Sequence, residues 1–456
     1  MKRALDVLIM AAGLGTRMKS NRAKVLHELD GTPLIGHIAR AAKALDPLRI
    51  IVVVGYQAEE VEKAALAEVG DLASFVMQEK QRGTGDAVES ARSVLENSDS
   101  LVLVANGDVP MIKTETLRKL LEHHESTGAK CSLLSVRLEN PTGYGRVIRD
   151  RSGNFQKIVE QRDATPDERQ VKEINVGFYC FEAKDLFRAL RKVEPANDQG
   201  EYYLTDVPEV ILKDGGTVAV YQHNDAREVS GINTRAELAE FENLVRRAAI
   251  RRLMLEAGVT FIDPSHAYIS SEAQIGRDTV IHPNVTIEGK SVIGERCVIR
   301  AGARITNSRL SNGVVVKDHS VIVDSEVGEN CSVGPFAHLR MNALLEEKVT
   351  IGNFVEVKKS RLKRGTKAQH LSYLGDATIG ERTNVGAGTI TCNFDGTTKH
   401  ETIIEDDVKV GSDTMLVAPV RIGARSVTGA GSVVTKDVPP DSLVAGVPAE
   451  VKKRLK

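Results

Sequence analysis

A hydrophobic residue recurs at every sixth position through most of the second half of the chain. The series is unbroken from Ile269 to Ile305 and continues, with one-residue slips, from Leu310 to Val357. An α-helix has a period of about 3.6 residues and a β-strand a period of about 2, so neither explains this repeat. A coil of short parallel strands does, because one aliphatic side chain per hexad stacks into a central column. The sequence therefore predicts a parallel β-helix.

Residues 1–233 follow a different pattern, in which short apolar strands alternate with helical stretches. Runs rich in Val, Ile and Leu stand at 6–10, 50–55 and 100–106, and such runs are typical of parallel strands covered on both faces. Helical patterns lie between them, at 33–45, 58–69 and 84–96. This alternation indicates an α/β domain with a mostly parallel, Rossmann-like sheet.

A chain of 456 residues is too long for one ordinary hydrophobic core. Residues 234–257 carry apolar side chains at helical spacing without Gly or Pro, which predicts one long helix. We therefore expect a nucleotide-binding domain at 1–233, a linker helix at 234–257, and a β-helix domain with a C-terminal tail at 258–456.

The net charge and the cysteine content indicate which partners and which cellular compartment the chain suits. The 61 basic and 62 acidic residues give a net charge of −1, which favours neither nucleic acid nor an anionic membrane. The N-terminus leads directly into a strand and a glycine loop, so we expect neither a signal peptide nor stable membrane insertion. The five cysteines are scattered and form no C-x-x-C pair, which predicts reduced thiols and a cytoplasmic protein.

A glycine loop follows the first strand and contains Gly13, Gly15 and Arg17. Glycine lets the backbone approach a phosphate closely, and exposed N–H groups can bind its oxygens. Arg17 and Lys24 add the positive charge that a transferring phosphoryl group requires. The spacing matches neither the P-loop nor the dinucleotide fingerprint, so a plain strand-to-helix turn stays open as the alternative for the loop alone.

Further fragments supply the remaining parts of a nucleotide site. Gln78, Gly83 and Thr84 suit the recognition of a base through amide and backbone groups. Asp108 follows a buried strand and is a hard oxygen ligand of the kind that Mg²⁺ prefers. Ligands of an open sheet bind at the carboxyl ends of its strands, where most of these residues are expected. The other candidates are Gly145, Glu160, Asn175 and Asn233.

Together these fragments resemble the uridylyltransferase half of the bacterial bifunctional N-acetylglucosamine-1-phosphate uridylyltransferases/glucosamine-1-phosphate acetyltransferases, and the resemblance covers essentially the whole chain. The [LIV]-G-x-x-[STAV]-x hexads resemble the repeat of left-handed β-helix acyltransferases, which are typically homotrimers. The resemblance implies acetyl transfer from acetyl-CoA to glucosamine 1-phosphate. It also implies uridylyl transfer from UTP to N-acetylglucosamine 1-phosphate, with Mg²⁺ as the cofactor.

The resemblance implies roles for individual residues of the first domain. Arg17 and Lys24 are implied as catalytic residues, and Asp108 and Asn233 as Mg²⁺ ligands. Leu14 departs from the family, whose members often have lysine there, so one auxiliary charge is lost. Contacts to UTP and the sugar nucleotide are implied for Met10, Ala11, Ala12, Gly13, Lys24, Gln78, Gly83, Thr84, Asn106, Gly107, Asp108, Gly145, Glu160, Asn175 and Asn233.

The apolar rhythm of the hexads falters at 367–388, where His370, Tyr373 and Asn384 appear. An ammonium group must lose a proton before it can attack a thioester, and histidine is the natural base near neutral pH. The resemblance implies that His370 is this base and that Glu356 orients the substrate or the base. Implied contacts to glucosamine 1-phosphate are Arg340, Lys358, Tyr373, Asn384, Lys399 and Glu356, and implied contacts to acetyl-CoA are Ala387, Asn393, Phe394, Ser412 and Ala430.

Two departures concern acetyl-CoA. Phe394 replaces the tyrosine usual in the family, which removes a hydroxyl near the thioester, and Gly446 stands where some relatives have arginine. We therefore expect an altered affinity for acetyl-CoA, with the CoA phosphates meeting one of the basic residues of the tail instead. Those residues are Lys452, Lys453 and Arg454.

Two other functions stay open. A single-function guanylyl-, adenylyl- or thymidylyltransferase with a β-helix tail would also open with a G-x-G-T-R loop, but it would not need an insertion at 367–377 (KAQHLSYLGDA). Preference among the four nucleoside triphosphates would distinguish the two functions. Alternatively, the β-helix is only a trimerisation scaffold. In that case replacing His370 would leave every activity intact.

Overall fold

The computed structural model of the protein describes residues 3–455. The chain divides into two compact units, Met1–Phe241 and Glu242–Lys456. The boundary between the units falls inside one long helix, Arg235–Glu256. Among the described residues, no helix is both long enough and apolar enough to cross a bilayer.

The first unit alternates strands and helices. Its strands are β1 (Leu5–Met10), β2 (Glu28–Leu29), β3 (Thr32–Pro33), β4 (Arg49–Val54), β5 (Ala73–Met77), β6 (Leu101–Asn106), β7 (Cys131–Arg137), β8 (Arg146–Arg149), β9 (Phe155–Val159), β10 (Glu173–Glu182) and β11 (Val218–His223). The helices are α1 (Leu34–Lys43), α2 (Ala58–Val69), α3 (Thr84–Glu89), α4 (Arg92–Leu95), α5 (Thr114–Thr127), α6 (Ala183–Leu190), α7 (Val207–Lys213) and the long α8 (Arg235–Glu256).

The main sheet of the first unit has the strand order β11-β7-β10-β6-β1-β4-β5, with β8 paired to β10 and β9 to β8. Strand β1 runs parallel to both β4 and β6, whereas β10 is antiparallel to β6 and β7. This confirms the predicted α/β fold with a mostly parallel sheet. Because Met10 pairs in register with Asn106, the glycine loop after β1 emerges beside the segment that follows β6.

The predicted helix at 84–96 is divided into α3 and α4. The Ser90 hydroxyl donates a hydrogen bond to the carbonyl oxygen of Asp86 at 3.1 Å, and Ala91 leaves helical geometry with φ −89° and ψ 5°. Serine side chains compete with the backbone for such carbonyls and often bend or interrupt helices. The apolar spacing alone did not show this interruption.

The second unit consists of short strands wound into a coil. They are β12 (Thr260–Phe261), β13 (Tyr268–Ile269), β14 (Gln274–Ile275), β15 (Val280–Ile281), β16 (Thr286–Glu288), β17 (Val292–Ile293), β18 (Val298–Ile299), β19 (Arg304–Thr306), β20 (Arg309–Leu310), β21 (Val315–Val316), β22 (Val321–Val323), β23 (Glu326–Val327), β24 (Ser332–Val333), β25 (His338–Arg340), β26 (Leu344–Leu345), β27 (Thr350–Asn353), β28 (Glu356–Lys358), β29 (Arg361–Leu362), β30 (Lys367–His370), β31 (Tyr373–Gly375), β32 (Ala377–Ile379), β33 (Asn384–Val385), β34 (Ile390–Cys392), β35 (Thr402–Ile404), β36 (Lys409–Val410), β37 (Met415–Val417), β38 (Val420–Ile422), β39 (Val427–Thr428), β40 (Val433–Val434), β41 (Ser442–Ala445) and β42 (Glu450–Arg454).

These strands form three faces in rotation. Face 1 runs β12-β15-β18 and onward to β41-β42, face 2 runs from β13 to β40, and face 3 from β14 to β38. The hexad residues from Ile269 to Val357 are buried in one continuous core, as the stacked column requires. This confirms the predicted β-helix and is consistent with the left-handed class. The last strand differs from the rest, because β42 is antiparallel to β41.

The change of rhythm at 367–388 does not interrupt the coil. Ala368 and Leu374 take the inward positions there and are fully buried, and Lys367 pairs with Thr350 before it and Asn384 after it. Each of these two coils takes 17 residues, one fewer than three hexads, so the β-helix continues through this segment. The chain leaves the regular coil later, between β34 and β35, in a loop that contains Phe394 and Lys399.

Candidate active sites

Two adjoining cavities of the first unit open where β1 and β6 end. One has a volume of about 560 Å³ and the other of about 260 Å³. Both are lined by Arg17, Asp108 and Asn233. The larger cavity is also lined by the predicted residues Met10, Ala11, Ala12, Gly13, Lys24, Gln78, Gly83, Thr84 and Asn106, and the smaller by Gly145, Glu160 and Asn175.

The glycine loop is shaped by two features of its sequence. Gly15 has φ 67°, in the left-handed region that glycine tolerates, and a side chain there would collide with Lys24. A Cβ atom on Gly13 would instead meet nothing within 4 Å, so its backbone is open to the cavity. The side-chain amide of Gln81, which also lines the larger cavity, donates to the carbonyl oxygen of Ala12 at 2.7 Å and fixes the loop.

Two cations and two oxygen ligands converge at the junction of the cavities. Lys24 forms an ion pair with Asp108, and its Nζ donates to Asn233 Oδ1 at 3.1 Å. Arg17 Nη2 donates to the same Asn233 oxygen at 2.8 Å. Arg17 and Lys24 are close in the sequence, whereas Asp108 and Asn233 come from distant parts of the chain. The two cations could neutralise the charge of a phosphate bound between them.

The same oxygens suit a divalent cation. The Lys24 ammonium group contacts both the Asp108 carboxylate and the Asn233 amide oxygen. These two oxygens are therefore close enough to bind the same cation. Within residues 3–455, no group of three or more His, Cys, Asp or Glu side chains could hold a metal ion alone. A divalent ion at this place would therefore complete its coordination with phosphate oxygens and water.

Glu237 holds Asn233 in position, and the sequence analysis did not identify it. Its carboxylate accepts hydrogen bonds from the backbone N–H groups of Asn233 and Thr234, at 2.7 and 2.9 Å. The Thr234 hydroxyl accepts in turn from the Glu237 N–H at 3.2 Å. This is a capping box at the start of α8. The T-x-x-E spacing at 234–237 could have revealed it.

Gln78 is buried beside the larger cavity. Its side-chain nitrogen donates to the Gly83 carbonyl at 3.2 Å and to Asp86 Oδ2 at 2.9 Å. With both N–H donors used, the amide oxygen is the group that Gln78 offers to a ligand. Arg82 braces Asp86 through an ion pair at 2.7 Å, so the orientation of Gln78 depends on two residues that the sequence did not point to.

Glu160 lines the smaller cavity, and Asp206 follows the lining residue Thr205. Burial raises the pKa of Glu160, while a hydrogen bond with Thr205 and the charge of Arg146 oppose this rise. Burial also raises the pKa of Asp206 to about 6, and the charges of Glu209 and Asp163 add to the effect. On the same cavity, Asn175 Nδ2 donates to the Tyr179 hydroxyl at 2.7 Å.

In the second unit, predicted sugar-phosphate residues line up across neighbouring strands of face 2. Arg340 on β25 pairs in register with Lys358 on β28, and Glu356 on β28 pairs with Tyr373 on β31. The guanidinium of Arg340 contacts Glu356 Oε1 at 2.7 Å through Nε and at 2.6 Å through Nη2. The ladder thus presents two cations, a carboxylate and a phenol on one surface.

His370 stands at the end of β30 on the exposed outer surface. Its Nδ1 donates to Asn353 Oδ1 at 3.1 Å, which leaves the lone pair on Nε2 available to take a proton. Asn353 pairs in register with His370 on the preceding coil. Sequence reasoning missed Asn353, although a residue one coil earlier is a predictable neighbour in a β-helix.

Asp376 is a second residue that the sequence analysis missed. It accepts a hydrogen bond from Asn393 Nδ2 at 2.6 Å and lies 3.9 Å from the buried ammonium of Lys358. Asn393 also approaches the Tyr373 hydroxyl at 3.4 Å. Contact with Lys358, by hydrogen bonding and by charge, lowers the pKa of Lys399. The two lysines therefore form a dense positive centre beside Tyr373.

The predicted acetyl-CoA residues are spread along the coil. Ala387, Ser412 and Ala430 lie in turns on successive coils, after β33, β36 and β39. Asn384, a predicted glucosamine 1-phosphate contact, lies on β33, one coil beyond β30. At about 4.8 Å per strand, Ala430 lies roughly 14 Å along the stack from His370. Phe394 is exposed in the loop after β34 and forms a β-bridge with Lys399. In a single chain Phe394, Ser412 and Ala430 are exposed, whereas Asn393 is buried.

Three family models match parts of the chain. The MobA-like NTP transferase domain matches residues 7–206. The GMPPB C-terminal domain matches residues 261–353, and the bacterial transferase hexapeptide (six repeats) matches residues 401–436. The first match falls on the α/β unit, and the other two fall on the β-helix.

The chain is also similar to whole proteins named "Bifunctional protein GlmU". The relative from Geobacillus sp. (strain WCH70) is 46% identical over 446 residues, which cover 98% of this chain and 96% of the relative. The relative from Heliobacterium modesticaldum is 47% identical over 96% of this chain and 94% of its own length. The relative from Geobacillus thermodenitrificans is 47% identical, with 98% and 96% covered.

Proposed function

The chain belongs to the family of bifunctional GlmU proteins, and from that premise we propose that it makes UDP-N-acetylglucosamine by two transfers at two separate sites. It is a glucosamine-1-phosphate acetyltransferase, with acetyl-CoA as the donor. It is also an N-acetylglucosamine-1-phosphate uridylyltransferase, which uses UTP and releases pyrophosphate. The observation that carries the proposal is the convergence of Arg17, Lys24, Asp108 and Asn233 at one cavity junction.

Uridylyl transfer is assigned to the first unit. A phosphate oxygen of N-acetylglucosamine 1-phosphate attacks the α-phosphorus of UTP, and the bond to pyrophosphate breaks. The nucleophile is already an anion at neutral pH, so positioning and neutralisation of charge are sufficient. Arg17 and Lys24 supply that charge. The family requires a divalent metal, for which we propose Mg²⁺ held by Asp108 and Asn233, where it would neutralise phosphate charge.

Acetyl transfer is assigned to the second unit. His370 Nε2 takes a proton from the ammonium group of glucosamine 1-phosphate, and the free amine attacks the thioester carbonyl. The C–S bond breaks, and the thiolate of CoA receives that proton from the imidazolium. The nitrogen loses its second proton to water as the amide forms. Asn353 holds the ring in the tautomer that this step requires. Arg340, Lys358 and Lys399 provide the charge that would bind the sugar phosphate.

The cytoplasm is the proposed location. Within the described residues the five cysteines are free thiols, four of them buried, which suits a reducing compartment.

A direct assay tests the assignment. Full-length protein is incubated with N-acetylglucosamine 1-phosphate, Mg²⁺ and each of the four nucleoside triphosphates, and separately with glucosamine 1-phosphate and acetyl-CoA. We expect UDP-N-acetylglucosamine from UTP alone and thiol release in the second assay. Chelation of divalent metal with EDTA should abolish the first reaction and leave the second unchanged. Preference for another nucleotide, with no acetyl transfer, would instead favour the single-function nucleotidyltransferase.

We also propose that the active form is a homotrimer, and one corner of the β-helix supports this. His319, Phe336, Phe354 and Leu371 occupy that corner on successive coils with φ between 42° and 56°. A bulky residue in this left-handed region costs about 1–2 kcal/mol. Yet Phe336, Phe354 and Leu371 remain 49%, 55% and 61% exposed in the single chain. In a single chain, this backbone strain is not offset by burial of the apolar side chains. A second copy of the chain that covered the corner would bury them.

This corner adjoins the acetyl-transfer site, because Phe354 follows Asn353 and Leu371 follows His370. The rings of His319, Phe336 and Phe354 stack, with centroids 5.3 and 5.4 Å apart. A copy packed on this aromatic corner would therefore lie beside the base. It would also enclose a surface that is open in one chain.

Replacing Phe354 by asparagine is expected to weaken assembly without harming the coil. Asparagine tolerates left-handed backbone geometry better than phenylalanine, so the local fold should be as stable or more stable. We expect a larger monomer fraction in analytical ultracentrifugation, and acetyl transfer reduced at least about tenfold. Uridylyl transfer should stay within about twofold of wild type.

The matched control is Lys348→Asn. Lys348 has φ 58° at a different corner, so this variant relieves the same kind of backbone strain without touching the aromatic corner. It should assemble and acetylate like wild type. If Phe354→Asn assembles normally and retains full acetyl transfer, the corner is not the interface.

A further inference from the structure

Arg146, the first residue of β8, is a buried cation beside the smaller cavity. Only 1% of its surface is exposed, and among residues 3–455 no carboxylate forms a salt bridge with it. Burial lowers the pKa of Arg146, although the charge of Glu160 opposes this. A buried charge without a paired carboxylate is destabilising. Its presence therefore calls for a role that an apolar residue could not fill.

The hydrogen bonds of Arg146 hold a loop that forms one wall of the cavity. Nη1 donates to the carbonyl oxygen of Tyr144, and Nη2 donates to Gln161 Oε1 at 2.7 Å. The same Gln161 oxygen accepts from the backbone N–H of Gly143 at 3.1 Å. Arg146 and Gln161 thus fasten the loop at two backbone points. The cavity residues that the loop supplies are Thr142, Gly143, Tyr144 and Gly145.

The end of the loop continues into the opposite wall. The carbonyl oxygen of Gly145 accepts a hydrogen bond from the Asn175 N–H at 2.9 Å. A Cβ atom at Gly145 would lie 3.1 Å from Glu160 Oε1, so the loop packs directly against this carboxylate. A shift of the loop would therefore move Asn175 and Glu160 as well, and these are the polar groups of the cavity that suit sugar hydroxyl and amide groups.

Arg146 also acts on Glu160 through its charge. Burial and the negative charges of Asp163 and Asp206 disfavour the ionised form of Glu160, whereas Arg146 favours it. A carboxylate accepts hydrogen bonds with both oxygens, while the protonated form gives up part of that capacity. The buried guanidinium thus supports the acceptor that faces the cavity.

We propose that Arg146 is a positioning residue for the sugar phosphate: it fixes the 141–145 loop through Tyr144 and Gln161 and supports Glu160, without touching the reacting atoms. This inference rests on the proposed uridylyl transfer. Arg146 is assigned to the sugar phosphate alone and not to UTP, because the loop that Arg146 contacts forms a wall of the smaller cavity. Gly13 and Gln78 line the larger cavity and not the smaller one.

The test compares Michaelis constants for the two substrates in full-length variants. In Arg146→Met, we expect KM for N-acetylglucosamine 1-phosphate to rise about 10–100-fold, as for the loss of buried hydrogen bonds to a charged group. The KM for UTP should change less than about threefold, and acetyl transfer should be unchanged. Arg146→Lys retains the charge but not the forked geometry, so its KM for the sugar phosphate should lie between wild type and Arg146→Met.

Gln161→Leu tests the same loop without replacing the buried arginine, so a folding defect caused by the loss of Arg146 cannot account for its effect. It removes the Gln161 oxygen that accepts hydrogen bonds from both Arg146 and Gly143. It should raise the sugar-phosphate KM about 3–30-fold. The control Arg162→Met changes an exposed neighbour and should behave like wild type. The inference is overturned if Gln161→Leu leaves both KM values unchanged, or if the variants raise both KM values equally. A wild-type protein that makes no UDP-N-acetylglucosamine would overturn the proposed function itself.

Discussion

Replacing His370 by alanine is expected to reduce acetyl transfer by about two to four orders of magnitude, the usual contribution of a general base. Alanine cannot take the proton from the ammonium group, so the amine nucleophile is not generated in the site. The loss should appear in kcat, because His370 is not among the groups proposed to bind the sugar phosphate. Uridylyl transfer should be unchanged, since it is assigned to the other unit.

The measurement follows thiol release from acetyl-CoA with glucosamine 1-phosphate, and pyrophosphate release in the same preparations. His266→Ala is the matched control. His266 is an exposed histidine that contacts Asp263 near the start of the β-helix, and its replacement should leave both reactions intact. Full acetyl transfer by His370→Ala would show that the β-helix is a scaffold or that another group is the base.

Replacing Arg17 by methionine is expected to reduce kcat/KM for uridylyl transfer by about 10²–10³-fold, as for the loss of one preorganised group that stabilises the transition state. Methionine fills a similar volume but cannot neutralise phosphate charge or donate to Asn233 Oδ1. Lys24 retains its contacts with Asp108 and Asn233 in this variant. The reaction should therefore be slowed rather than abolished, and acetyl transfer should be unaffected.

Arg22→Met is the control for charge in the same region. Arg22 is exposed and paired with Glu28 at 3.0 Å, and it is not among the residues that line either cavity. Its replacement should leave kcat/KM for uridylyl transfer within about twofold, as expected of a surface ion pair. Equal effects of the two substitutions would mean that Arg17 acts only through the general field of the protein.

The departures at Leu14 and Phe394 have separate consequences. Leu14 lines the larger cavity without adding charge, so we expect the neutralisation of phosphate charge to depend on Arg17 and Lys24. Phe394 is exposed on its loop and has no hydroxyl to polarise a thioester. Acetyl transfer by the intact protein would therefore rely on His370 and on the groups that orient the substrate.

The sequence by itself determined the two architectures. The apolar residues from Ile269 to Val357 recur at a period at which only a coil of short parallel strands can bury them all. These residues do form the core of the β-helix. The apolar runs at 6–10, 50–55 and 100–106 likewise predicted parallel strands buried on both faces, because such strands have no solvent-facing side. Arg17, Lys24 and Asp108 were recognisable because glycine spacing and strand ends leave local signals.

Only the tertiary structure decided which side chains support the sites. Asn353 beside His370, Asp376 beside Lys358, and Arg146 beneath the 141–145 loop are ordinary polar residues in the sequence. Their roles come from contacts across coils or strands. Such contacts depend on register and on turn lengths, and a one-residue change in either moves a side chain to another face. A repeating pattern specifies which positions are buried, but the spacing between distant polar groups is fixed only when the chain has folded.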